Sequence, residues 1–299
     1  MKEYNGKELI IMACSKCNNS CSHCYISYKG DRKPDELYEI VKKLKSKYQI
    51  NINGAEILTD TGYLKSYKEI NQHFVLTNGK VFLTNPNIIE ELKKNNINSV
   101  SISYHFGIQD DISMIKESEL YEIIKIIKSN SLNFRILTTI TAKNYMLIPY
   151  MCDKAHDIGA RGIKFTNFLK QGNAQSMSED NILNMQQIKK VFELIEEERN
   201  NYDVSDFIIE RCGTFGKNEF SSHDHFFCDC ITDSIVLTPD NNIYPCVFLA
   251  KHGYEIGTYD GEKIFLQEEI INKHDECFAK EICNESKILI KRRLKNEKN

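Results

Sequence analysis

The chain has 299 residues, 41% of them hydrophobic and only 5 of them proline, enough for one large domain or a domain with an appendage. Its net charge of −3 lacks the basic footprint of nucleic-acid binders. The opening residues lack the apolar core of a signal peptide, and no apolar run approaches the ~18 residues of a membrane helix. Neither nucleic acid nor membrane is therefore an expected partner, and a cytoplasmic location is expected. Eleven cysteines in that compartment, where disulfides are rare, point to metal or redox chemistry.

Short β-branched runs predict strands at residues 9–12, 50–52, 74–77, 99–103, 134–140 and 162–165. Helical periodicity fills the intervals between them. A helix opening at Pro34 places Leu37, Ile40, Val41 and Leu44 on one face, and others are predicted at about 86–95, 115–128, 145–158 and 182–200. This alternation predicts repeated βα units around a parallel sheet. Residues 201–227 are polar and are expected to be an irregular connection. A strand, the turn P-D-N-N and a second strand follow, at 234–237 and 243–244. The expected domains are 1–200, a connection 201–227, a small cysteine-anchored domain 228–285, and a basic tail 286–299 that ends solvated and frayed.

Directly after the first strand stands C-N-N-S-C-S-H-C, carrying Cys17, Cys21 and Cys24. A C-x3-C-x2-C triplet offers an iron–sulfur cube three thiolates and leaves the fourth iron open to a small molecule. A zinc knuckle is the alternative, but structural zinc usually closes four-coordination with two paired ligand motifs, which this run lacks. The triplet sits at the C-terminal end of a strand, where parallel α/β barrels build their active sites. Six further cysteines fall between Cys212 and Cys283, which suggests a second metal centre.

The triplet and its setting resemble the radical S-adenosylmethionine (radical SAM) superfamily. That resemblance implies a partial (β/α)6 TIM-like barrel, with S-adenosylmethionine bound to the open iron of a 4Fe-4S cluster. It implies that His23, before the third cysteine, lies beside adenine. Gly54, Ala55 and Glu56 stand where the family has G-G-E, with the Glu56 carboxylate facing the cofactor's ammonium group. Asn78 belongs to an L-T-N-G strand ending, and Ser103 to an I-S-Y-H run where the family often has I-S-x-D, so that His105 replaces an aspartate. Thr139 and Asn167, at later strand ends, are further candidate polar contacts.

Downstream, Cys228 is followed by twelve residues, Asn241, four residues and Cys246, which resembles the SPASM/twitch extension with Asn in place of its glycine. Asn is the non-glycine residue most tolerant of positive φ, so the turn is expected to survive. Cys277 and Cys283 would complete four thiolates for an auxiliary 4Fe-4S cluster with no open iron, Cys230 being an alternative to Cys228. A zinc ribbon is the other candidate for these four. Lys280 stands where the longer, two-cluster form would need a cysteine, so a single auxiliary cluster is expected. Cys14 and Cys152 are expected as small buried hydrophobes. Cys212 and Cys230 are candidate hydrogen donors to a substrate radical.

The activity so implied is hydrogen abstraction from a ribosomally synthesised peptide, ending in a cross-link, an epimerisation or an oxidation. The alternatives are an aminosugar-like small-molecule dehydrogenase and, more remotely, a non-catalytic metal-bearing module. The implied partners are the peptide, a separate leader-binding protein and an electron donor of flavodoxin or ferredoxin type. No peptide-recognition domain is expected ahead of the first strand.

Overall fold

Twelve strands are present among the residues described in the computed structural model, which are 1–212, 215 and 233–268. They are β1 Lys2–Glu3, β2 Glu8–Met12, β3 Gln49–Asn53, β4 Phe74–Thr77, β5 Ser99–Ser103, β6 Asn133–Ile140, β7 Gly162–Asn167, β8 Ile208–Arg211, β9 Ser234–Leu237, β10 Asn242–Tyr244, β11 Gly257–Tyr259 and β12 Ile264–Leu266. The helices are α1 Pro34–Leu44, α2 Leu64–Glu69, α3 Val81–Thr84, α4 Ile88–Lys94, α5 Gln109–Ile112, α6 Glu117–Ser129, α7 Ile148–Asp157 and α8 Met185–Arg199. The chain is α/β as expected, and the six anticipated parallel strands of a partial TIM-like barrel are β2 to β7, carried on two sheets. Among the described residues no helix is long and apolar enough to cross a membrane.

The chain divides into two units, the first containing residues 1–17, 26–72 and the described residues 233–268. Its sheet runs β1-β12-β11-β10-β9-β2-β3. β2 pairs in parallel with β3 on one side and with β9 on the other, while β9 to β12 and β1 form an antiparallel succession. Leu9 and Ile11 of β2 are fully buried. In α1, Pro34 occupies the first turn, where its missing N–H costs nothing, and Asp35 and Glu36 there oppose the positive end of the helix dipole. Leu37, Ile40, Val41 and Leu44 are its buried stripe, the four that periodicity selected.

The hairpin β9–β10 follows the predicted boundaries closely. Its turn places Asn241 at φ 66°, so asparagine does hold the left-handed position. Asp240 closes the turn by accepting from the Thr238 hydroxyl at 2.6 Å and the Asn242 amide at 3.3 Å.

The second unit contains residues 18–25 and 73–212. Its sheet, β4-β5-β6-β7-β8, is parallel throughout. Helices α6, α7 and α8 lie against β6, β7 and β8, and each turns a buried apolar stripe inward, as with Leu120, Ile123, Ile124 and Ile127 of α6. The fifth strand is a departure from the sequence expectation: β8 lies within 201–227, which was expected to be irregular. Its apolar run is only Phe207, Ile208 and Ile209, too short to announce a strand, and pairing with β7 supplies the order that local pattern does not. α8 also starts at Met185 rather than near 182, because Asn184 and Gln187 form a reciprocal capping box that sets the first turn there.

Candidate functional site

The segment bearing the three cysteines leaves β2 and returns to α1, and its stem is closed by backbone pairing. Arg32 N–H donates to Ala13 O at 2.9 Å and Ser15 N–H to Gly30 O at 3.0 Å. The Asp31 carboxylate accepts from the amides of Ser15 and Lys16 at 3.0 and 2.9 Å, and the Tyr28 hydroxyl donates to Cys14 O at 2.8 Å. Asp31, Arg32 and Tyr28 were not singled out from the sequence. Nothing local marks them, since each acts on a residue 14 or more positions away.

The β2–β3 ladder continues past the strand ends into two of the motifs. Ala13 N–H donates to Asn53 O at 2.7 Å, Ala55 N–H to Cys14 O at 2.9 Å and Glu56 N–H to Lys16 O at 3.2 Å. The G-A-E turn is thereby stitched to the residues that lead into Cys17. Gly54 is required for this approach, because a Cβ there would stand 2.8 Å from Cys14 Sγ. Glu56 is 1% exposed, and its Oε1 accepts from Leu58 N–H at 3.2 Å, capping the short turn that follows. Cys14 itself is buried as expected, and burial pushes its thiol pKa up to about 11. Cys152 is also buried, with its pKa raised above the thiol range for the same reason.

In the second unit, residues 18–25 are tied to three strand-end loops. The first loop is the T-N-G turn: Asn78 Nδ2 donates to Asn18 Oδ1 at 2.8 Å, and Lys80 Nζ to Asn19 Oδ1 at 3.4 Å. Gly79 sits at φ 88°, the positive region that the turn demands. The second is the loop after β5. Ser22 N–H and His23 Nδ1 meet Ile112 O at 3.1 and 3.0 Å, and Cys21 Sγ lies 3.8 Å from Ser113 Oγ. The third is the loop after β7, where Asn173 Nδ2 donates to Cys21 O at 3.1 Å and Ala174 N–H to Cys24 O at 3.4 Å.

Because a carbonyl only accepts, the contact with Ile112 puts the His23 proton on Nδ1. Burial lowers the pKa of this imidazole and the carbonyl contact partly opposes that. The His23 ring meets His105 edge-on, with centroids 4.3 Å apart. His105 is buried, and its Nδ1 accepts from Thr139 N–H at 3.0 Å, so its proton is on Nε2. Burial, with His23 beside it, holds the His105 pKa well below the usual histidine range. The residue that stands for the aspartate of I-S-x-D thus joins the ends of β5 and β6 and faces His23.

Ser103 is half-buried at the end of β5, Thr139 is one residue from the end of β6, and Asn167 is buried at the end of β7. Cys212 follows β8, half-buried, with its N–H donating to Phe165 O at 2.8 Å. Cys246 is half-buried after β10, at the start of a 3-10 turn. Cys228, Cys230, Cys277 and Cys283 lie outside the described residues.

The donor chemistry of the loop fits an iron–sulfur cube. Cys17 is exposed, Cys21 and Cys24 are half-buried, and none of the three is in a disulfide among the described residues. Among the described residues no three Cys, His, Asp or Glu side chains converge on a single-ion site. A cube differs from a single ion in this respect, since each thiolate ligates its own iron. A bound group would also meet an unsatisfied partner nearby. Gln171 is 2% exposed, yet neither its Oε1 nor its Nε2 is hydrogen-bonded among the described residues, an uncommon state for a buried amide. It adjoins the turn that holds the carbonyls of Cys21 and Cys24.

No family model matches the sequence, and no curated protein does. Solved structures do. Streptococcus suis SuiB bound to precursor peptide SuiA is 16% identical with a TM-score of 0.64, over 85% of this chain and 62% of SuiB. The chain thus spans less than two thirds of SuiB's length. SuiB bound to S-adenosylmethionine gives 15% identity and a TM-score of 0.62, over 84% of this chain and 60% of SuiB. anSMEcpe with bound AdoMet and Kp18Cys peptide is 17% identical with a TM-score of 0.61, over 95% of this chain and 92% of that one. The chain therefore shares its fold with proteins solved with S-adenosylmethionine bound.

Proposed function

We propose that the chain is a radical SAM enzyme that acts on a ribosomally synthesised peptide. Cys17, Cys21 and Cys24 would hold a 4Fe-4S cluster whose open iron takes S-adenosylmethionine. When bound and reduced, that pair supplies a 5′-deoxyadenosyl radical able to take hydrogen from an unactivated C–H bond. The observation that carries this reading is the backbone ladder joining the G-A-E turn to the start of the cysteine loop, with Ala55 N–H to Cys14 O at 2.9 Å and Glu56 N–H to Lys16 O at 3.2 Å. The buried Glu56 is thereby joined to the start of the cysteine loop, which supports the pairing that a cationic amino group bound next to a cluster would need.

The chain's own residues would divide the remaining tasks. Asn78, Ser113 and Asn173 hold the loop, fixing the directions in which Cys21 and Cys24 present their thiols. His23 offers a flat imidazole face to the adenine, and Ser103, Thr139 and Asn167 offer polar contacts at neighbouring strand ends. In the proposed segment 228–285, Cys228 or Cys230, Cys246, Cys277 and Cys283 would hold the auxiliary cluster. The positive φ of Asn241 supports the twitch-type hairpin on which Cys246 follows. Cys212 or Cys230 would return a hydrogen atom if the outcome is epimerisation. A flavodoxin- or ferredoxin-type donor would supply the electron, and a separate protein would bind the leader. The peptide substrate is supported by the shared fold with SuiB bound to SuiA and anSMEcpe bound to Kp18Cys peptide.

Anaerobically reconstituted, dithionite-reduced protein tests the reading. Its EPR spectrum should change when S-adenosylmethionine is added, and 5′-deoxyadenosine should form. A spectrum indifferent to S-adenosylmethionine overturns it.

A further inference from the structure

Parallel sheets are ordinarily covered on both faces and read as continuous apolar runs. Among the described residues of its own unit, helices α6, α7 and α8 pack on the β4–β8 sheet from the face that carries its buried side chains. Along β6 the buried residues Phe134, Ile136, Thr138 and Ile140 alternate with residues that stay exposed or half-buried, and β7 repeats the pattern. The more open face carries Arg135, Thr139, Lys164, Thr166 and Glu210 together with the apolar Leu76 and Leu137. Its register is set by the ladders, in which Ser101 pairs with Arg135, Leu137 with Lys164, and Lys164 with Glu210.

The charges on this face do not cancel. Arg135 Nη1 reaches Glu210 Oε2 at 3.3 Å, although β7 lies between their strands. The β7 residue level with Arg135 is Gly162, where any Cβ would stand 2.4 Å from Ile208 O, so no side chain blocks the guanidinium. Lys164 is half-buried and has no acceptor among the described residues. Its stem lies along the sheet while the ammonium stays accessible to an incoming anion. Among the described residues of this face, two cations and one carboxylate leave one positive charge in excess, with Leu137 and Glu210 level with Lys164 on the flanking strands and Thr166 two residues along its own.

We propose that this face binds a carboxylate of the substrate on Lys164, with Arg135 held beside it by Glu210. The proposal rests on the peptide-modifying reading and narrows it to peptides that present an acidic side chain or their own C-terminus. A single excess charge matches a carboxylate. A phosphate, carrying about −1.5 to −2, would leave the face negative.

The test is NMR of the reconstituted protein carrying 13C-labelled lysine, with the Lys164 signal assigned from a Lys164→Met variant. The probes are N-acetylglutamate amide for a side-chain carboxylate, N-acetylglycine for a C-terminal one, N-acetylglutamine amide as the neutral control, and inorganic phosphate. A saturable Lys164 shift with either carboxylate and none with the glutamine amide supports the proposal and tells the two sources apart. Carboxylate affinity, read in the variants by isothermal titration calorimetry, should fall at least tenfold in Lys164→Met and recover in Lys164→Arg. No carboxylate response, an equal response to the amide, or tighter binding of phosphate overturns it. The EPR response to S-adenosylmethionine should be the same in wild type and Lys164→Met. If that response is absent in wild type, the radical SAM reading falls separately from the carboxylate site.

Discussion

Arg32 Nη1 donates to Asn241 Oδ1 at 3.0 Å, across 209 positions of sequence. The same guanidinium donates to Thr238 O at 2.7 Å and pairs with Glu36 at 2.6 Å, with its own side chain fully buried. The residue that closes the stem of the cysteine loop is thus clamped to the turn that leads towards Cys246. Asparagine serves two ends at position 241, since it accepts a positive φ and supplies the acceptor that a buried cation needs. Glycine would meet only the first.

The Asn241 variants should therefore separate these two roles. Asn241→Gly keeps the backbone but strips an acceptor from a charged donor, an expected loss of about 1.5–3 kcal/mol. Asn241→Ala loses the acceptor and adds about 1–2 kcal/mol for a left-handed non-glycine residue. Urea unfolding of the reconstituted protein should place alanine below glycine and both below wild type.

Glu56 is predicted to act by charge on the cofactor and by geometry on the fold. Glu56→Gln retains an oxygen to cap Leu58 N–H, so stability should stay within about 0.5 kcal/mol of wild type. Its affinity for S-adenosylmethionine should fall about tenfold, the equivalent of one charge-assisted contact at about 1.4 kcal/mol. Glu56→Ala should show the same binding loss together with about 1 kcal/mol of destabilisation from the lost cap. Anaerobic calorimetry and urea unfolding read the two effects separately.

Iron analysis checks the cysteine assignments. Reconstituted wild type should carry close to eight irons per chain, four for each cube. Cys17→Ala, Cys21→Ala or Cys24→Ala should bring the count towards four and abolish the EPR response to S-adenosylmethionine. Cys246→Ala should remove a similar amount of iron and leave that response in place. A wild-type value near four removes the auxiliary cluster.

Cys14 makes stability fall at high pH. Its thiol ordinarily titrates near 8.5, and burial pushes it up to about 11 in the fold. The unfolded chain therefore loses this proton first, so the contribution is complete below about pH 8.5 and is lost as pH rises to about 11. The stability difference between wild type and Cys14→Ala should narrow by about 1 kcal/mol per pH unit across that interval. Below it, iodoacetamide should leave Cys14 and Cys152 unlabelled in the native protein, as peptide mass spectrometry would show.

Much of the scaffold was legible locally. The stripe Leu37, Ile40, Val41 and Leu44 specified α1 because helical periodicity needs no information from elsewhere in the chain. Strands β4 and β5 match the predicted 74–77 and 99–103, since their β-branched runs are bounded by turn residues. The left-handed conformation of Asn241 was expected because it stands where the resembled pattern has glycine and asparagine tolerates positive φ. The very short strands β1, β11 and β12 were missed, because two or three residues carry no period.

What the sequence determined by itself was the chemistry on offer: three thiols at cluster spacing after a first strand, a carboxylate ending the G-A-E turn after the second, and an α/β order of elements. What the tertiary structure decided was which of these groups meet. β9 adds in parallel beside β2, pairing Leu9 with Ile235, because the unpaired N–H and C=O groups of a strand edge must find partners wherever the chain can bring them. The same requirement ties Asn78 to Asn18 and buries Arg32 against the turn at Asn241. It also lines up Arg135, Lys164 and Glu210 on one sheet face. Periodicity reports only the near neighbours of a residue, whereas hydrogen-bond satisfaction and burial act between segments far apart in the chain.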